Sequence, residues 1–150
     1  VPPDTTVPHA QRLEAHAIEA IAPFDRQVFG APREGVLHAL HKAAPLSAWR
    51  YPEAGALQAF SLGRPGCRFH QIGPVAARNL ESAKSVTAAA LQAVAGRAIV
   101  LDVPLAQTEY AAWLQEHGFI RQRRLRRMVK DNVLQKFPAQ QYAIAGPELG

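Results

Sequence analysis

The run Ala98-Ile99-Val100-Leu101-Asp102-Val103, closed by Pro104, constrains this chain more than any other feature. Its residues are apolar without alternation up to Asp102. Successive side chains of a strand point to opposite faces, so such a run is apolar on both and suits a central parallel strand covered by helices. It is too short for a buried helix. A parallel strand needs a crossover on each side, which predicts an α/β layer and excludes a plain helical bundle.

The flanking patterns supply the layers. From Ala10 the positions Leu13, Ala17, Ile18, Ile21, Phe24, Val28 and Phe29 recur at helical spacing, with Pro23 expected to divide the run in two. Pro32 opens a second helix carrying Val36, Leu37 and Leu40, and Pro45 ends it. The segments SAWRY and ALQAFSL, parted by Pro52, Glu53, Ala54 and Gly55, read as a hairpin, and CRFHQIGPV follows as a third strand. Asn79 is a good N-cap for a helix running to about Val94, ended by Gly96. A fourth helix spans about Ala106 to His117. Phe119 is expected to start a long strand, and QYAIAG after Pro138 a last one. The result is a mixed sheet, an antiparallel meander plus a parallel pair, flanked by about four helices. No repeat is visible.

At 150 residues and 16.3 kDa the chain matches one domain, read as residues 10–150, with the proline-rich VPPDTTVP opening (residues 1–9) as a linker or cut edge. The start at Val1 suggests a piece of a longer protein. Of the apolar residues 28 are alanines, so the core rests on few large side chains. No apolar stretch reaches the length of a membrane span, no signal peptide is evident, and Cys67 is the only cysteine. A cytoplasmic domain without an internal disulfide or a cysteine-based zinc site is expected.

Charge is local. Residues 121–130 hold six basic groups and no acidic one, while the rest of the chain has 11 basic and 12 acidic residues, so the net +5 arises from one strip. On a strand, Arg121, Arg123 and Arg127 would share one face and Arg124 and Arg126 the other. Guanidinium forks suit a coenzyme phosphate, an acidic acceptor or nucleic acid, but the commonest use of such charge is protecting an edge strand. No aromatic interleaving marks a single-strand stacking surface.

The element order resembles the GNAT superfamily of acyl-CoA N-acyltransferases. More closely, RPGCRFHQIGPVAA, IVLDVP, WLQEHGF, RRM and the closing YAIAGPELG are similar to the C-terminal GNAT-like domain of bacterial two-domain acetyltransferases. The resemblance implies acetyl-CoA as co-substrate, a small-molecule or peptide amine as acceptor, and a preceding GNAT domain. From the residues themselves no metal and no membrane partner is expected, and nucleic acid is the less favoured partner.

A strand leading into a helix N-terminus offers backbone donors and a positive dipole end to a pyrophosphate. The segment Val75, Ala76, Arg78, Asn79, Leu80, Glu81, Ser82 and Ala83 has that arrangement and is the candidate cofactor site. The resemblance aligns the superfamily pattern R/Q-x-x-G-x-G/A with Arg78 to Ala83, and Glu81 stands where glycine is usual. Glu81 reads equally as a helix-dipole stabiliser and as a group that repels phosphate.

The resemblance also places Leu114 where many members carry a tyrosine acid, and Gln107 where they carry an asparagine. Tyr110, one turn earlier, is the substitute acid, or else a packing residue beside Trp113. Asp102, at the carboxyl end of the apolar strand, and His70, on the third strand, are candidate bases. Asp102 reads also as a loop-pinning carboxylate, and His70 as a hydrogen-bonded strand histidine. His38 and His41 lack a third ligand, and Cys67 lies at odd strand spacing from His70.

Two readings stand. One is a GNAT-type N-acyltransferase domain. The other is a degenerate GNAT-fold ligand-binding or regulatory domain paired with a catalytic one, favoured by Glu81 and Leu114. A nucleic-acid module built on the arginine strip is a weaker third.

Overall fold

The computed structural model describes residues 9–126 and 138–149. The opening segment read as a linker lies outside these apart from His9. Strands β1 (Gln11–Arg12), β2 (Trp49–Glu53), β3 (Ala56–Arg64), β4 (His70–Ala77), β5 (Ile99–Val100) and β6 (Gln141–Ala143) form one sheet. Helices α1 (Ile18–Phe29), α2 (Glu34–Ala43), α3 (Leu80–Ala93) and α4 (Thr108–Glu116) pack against it. Strands β1 to β4 pair antiparallel in chain order, and β5 joins β4 in parallel through the α3 crossover. The mixed sheet with helices on both faces is the expected class.

Period-two alternation on β3 divides the core. Phe60 and Leu62 face the layer built by Ile18, Ile21, Phe24 and Val28 of α1 and Leu37 and Leu40 of α2. Ala59 faces the other layer, where Val86 and Ala90 of α3 meet Tyr110 and Leu114 of α4. Between Ser61 and Gly63, two steps of β3 oppose three of β4, so β4 carries an extra residue there. Ile72 and Val75 consequently share one face despite their odd spacing.

Several expectations need correction. Pro23 does not divide the first helix: α1 runs through it, with the proline on the exposed side while Ile21, Ala22, Phe24 and Val28 are buried around it. That burial offsets the one lost hydrogen bond. Residues from Ala10 do not begin the helix, because Gln11 and Arg12 pair with β2 and a single 3-10 turn, Ala15–Ala17, precedes α1. The hairpin turn is shorter than expected: Ala54 and Gly55, both with positive φ, form a two-residue connection whose twist matches the strands. Of the apolar run 98–103, Ile99 and Val100 pair with β4 and the Ala98 carbonyl accepts from His70 N–H at 2.7 Å, while Leu101 to Val103 stay out of the ladder. Phe119 starts no strand among the described residues; residues 119–126 have no regular structure, and Arg127 and Met128 lie outside the described residues.

An unexpected ion pair ties the N-terminal layer together. Arg33 grips Asp25 with Nε to Oδ2 and Nη2 to Oδ1, both at 2.8 Å, and the two side chains are 7% and 2% exposed. The same guanidinium lies 3.8 Å from the centre of the Phe29 ring.

Candidate functional site

The candidate site lies on the edge of β4 that faces away from β3. Pairing with β3 occupies one edge of β4 from Gln71 to Ala77. The other edge is shared: β5 pairs with His70 and Gln71, and β6 pairs antiparallel with Val75 and Ala76. The β6 segment therefore enters the opening where β5 departs. Four further bonds hold it there. Ala77 N–H donates to Gln140 O at 3.0 Å, Ile144 N–H donates to Asp102 O at 3.0 Å, and Gln107 Nε2 donates to the carbonyls of Ala139 and Gln141 at 2.7 and 2.9 Å. This explains why Leu101 to Val103 leave the ladder: β6 has taken the edge they would otherwise follow. Gly73 permits the close approach, since a Cβ there would run into the carbonyl oxygen of Ile144.

Several groups of the segment between β4 and α3 bond within the chain. The backbones of Val75 and Ala76 belong to β4, between β3 and β6. Arg78 turns back, its Nε donating to Leu57 O at 3.1 Å and its guanidinium lying 4.9 Å from the Phe24 ring centre. Asn79 caps α3 as expected, its Oδ1 accepting from Ser82 N–H at 2.9 Å, and the Ser82 hydroxyl donates back to Asn79 O at 3.0 Å. Leu80 and Ala83 join the α3 core. Glu81 is exposed at the first turn and pairs with Lys84 at 3.0 Å. The cap takes one first-turn donor of α3, that of Ser82, and the β6 pairing takes the edge of Val75 and Ala76 that a pantetheine arm would use.

The structure keeps the three chemistry candidates on different partners. Neighbouring residues of β4 turn to opposite faces, so His70 and Gln71 diverge. His70 Nε2 and Ser47 Oγ lie 2.6 Å apart in the interior. His70 Nδ1 has no partner among the described residues. Burial, aided by the Arg97 charge, holds the imidazole pKa below its ordinary value. Gln71 instead donates from Nε2 to Asp102 Oδ2 at 2.8 Å and accepts from Arg64 Nε at 3.1 Å, while Arg64 Nη2 pairs with Glu148. Glu148's own backbone N–H and the Arg64 guanidinium hold its carboxyl below the usual range.

Tyr110 is fully buried on α4. Its hydroxyl and Thr87 Oγ1 are 2.7 Å apart, and its ring stacks on Trp113 and meets Tyr142 edge-on. Burial raises its pKa above the ordinary phenol value, partly offset by the Thr87 bond. Leu114 is buried in the same cluster.

Gln71, Arg64 and Gln107 escaped notice as organisers of this region. A glutamine immediately ahead of the apolar stretch from Ile72 to Ala77 was the available signal for Gln71. Cys67 is exposed, His38 is exposed, and His41 Nε2 lies 2.8 Å from Leu13 O. No metal-binding group of His, Cys, Asp or Glu exists among the described residues, and no described helix is long and apolar enough to cross a membrane.

A family profile described as an acetyltransferase (GNAT) domain matches residues 21–143. No curated protein and no solved structure matches the chain.

Proposed function

Since the chain belongs to the acetyltransferase (GNAT) family, whose domains generally use acyl-CoA as co-substrate, we propose that it serves acyl-CoA-dependent N-acyl transfer as a degenerate GNAT domain. In this reading it supports or regulates a catalytic GNAT domain preceding it in a cytoplasmic protein. One observation carries the proposal: β6 is hydrogen-bonded along the stretch of β4 that opens beside β5. In the segment Val75, Ala76, Arg78, Asn79, Leu80, Glu81, Ser82 and Ala83, three features count against an acyl-CoA: β6 along Val75 and Ala76, the Arg78 side chain bonded to Leu57 O, and the Glu81 carboxylate at the first turn of α3.

The test is calorimetric titration of the chain with acetyl-CoA. No heat of binding at millimolar ligand is expected, for the native protein and for Glu81→Gly alike. Saturable binding by the native chain overturns the reading.

The catalytic alternative, acetyl transfer to a small-molecule or peptide amine by this domain itself, draws support from Asp102. Its carboxylate is partly exposed where β5 ends and is oriented by Gln71. On that reading Asp102 is the base, with His70 and Tyr110 as the other candidate groups. Asp102→Asn would then depress turnover while sparing cofactor affinity.

A further inference from the structure

The arginine strip has lost the explanation that suited it as a strand. Charge on a sheet edge blocks unwanted pairing, but residues 119–126 belong to no sheet. All six residues from Arg121 to Arg126 are exposed. Among the described residues no ion pair engages Arg121, Arg123, Arg124 or Arg126. Four guanidinium groups therefore stand in water within a segment that spans at most about 18 Å even when fully extended. Outside residues 121–130 the chain carries 11 basic and 12 acidic groups, so the positive field has this single origin.

We propose that Arg121, Arg123, Arg124 and Arg126 form a docking strip for duplex nucleic acid, held through its phosphates. The strip is independent of the β4 edge and of the role proposed for it. A polyanion with closely and regularly spaced charges matches four cations in so short a length, and guanidinium forks pair with phosphate oxygens in a bidentate manner. Single strands are disfavoured because Phe119, the one aromatic here, is partly buried against the α4 core and offers no stacking platform. An anionic membrane is disfavoured because the strip's exposed apolar groups, Ile120 and Leu125, are two separate side chains rather than an apolar face.

The experiment is fluorescence anisotropy of the whole 150-residue chain with a labelled mixed-sequence DNA duplex over a range of salt. Binding is expected, without strong sequence preference. Four phosphate contacts give a slope of log K against log salt of about −3.6, so affinity should fall roughly 100-fold between about 50 and 200 mM salt. Arg121→Gln, Arg123→Gln, Arg124→Gln and Arg126→Gln combined should lower affinity at least tenfold and flatten the slope, with thermal unfolding unchanged. No binding at the lowest salt, or unchanged binding by the folded quadruple variant, overturns the proposal. Equal or tighter strip-dependent binding to phosphatidylserine vesicles or to polyglutamate also overturns it, since each assigns the strip to another class of partner.

Discussion

The side-chain amide of Gln107, just ahead of α4, donates to the backbone carbonyl of Gln141 at 2.9 Å and to that of Ala139 at 2.7 Å. One side chain thus fixes the start of β6 beside the helix, while β4 fixes its body. Gln107→Ala removes both bonds and should cost about 1–3 kcal/mol in urea unfolding. Hydrogen exchange at Ala77 and Ile144, whose amides bond to Gln140 and Asp102, should quicken before that of the β3–β4 ladder. Unaltered exchange at both amides would show that β6 is held without Gln107.

The buried pair of Asp25 and Arg33 should be costly to break from one side. Asp25→Ala removes the carboxylate that faces a buried guanidinium at 2.8 Å, and a loss of about 3–5 kcal/mol is expected. Asp25→Leu combined with Arg33→Met should recover part of that loss, because the double change replaces both buried charges by apolar side chains. The comparison is made by denaturant unfolding, and a double variant less stable than Asp25→Ala would contradict it.

His70 makes stability depend on pH in a definite direction. Its folded pKa lies below the unfolded value of about 6.5, so below neutrality the unfolded chain binds the extra proton. The contribution of the neutral imidazole is complete above the unfolded pKa and declines as pH falls through it toward the folded pKa. Denaturation midpoints should drop between about pH 7.5 and pH 5.5, and His70→Gln should shrink that drop. An identical drop in the variant would assign the dependence to other groups.

Tyr110 should behave as a structural group. Tyr110→Phe leaves Thr87 Oγ1 unpaired in the core and is expected to cost about 1–2 kcal/mol. Alkaline absorbance titration should show one phenol that ionises only when the protein unfolds, in keeping with its raised pKa. Ionisation of all three tyrosines with the fold intact would contradict this.

Much of the architecture follows from local rules that the sequence states openly. Asn79 sits where a capping oxygen can reach an unpaired helix donor, and the structure uses it so. Phe60 and Leu62 alternate with Ala59 and Ser61, and the sheet buries them in two layers. The order of two helices, a meander, a crossover helix, a strand and a fourth helix is legible for the same reason: period and punctuation are properties of neighbouring residues.

What occupies the free edge of β4 is a different kind of fact. Val75 and Gln141 are far apart in the chain, and only the closed fold decides that β6 rather than the rest of the run 98–103 completes that strand. The roles of Gln71, Gln107, Arg64 and Glu148 follow from that choice, because a polar side chain in the interior takes whichever partner the packing brings within hydrogen-bond reach. The sequence by itself determined the family of layers and the residues able to do chemistry. The tertiary structure decided that Asp102 holds Gln71, that Tyr110 holds Thr87, and that the chain's own strand lies along β4, since long-range pairing is settled by the joint burial of segments that carry no local record of one another.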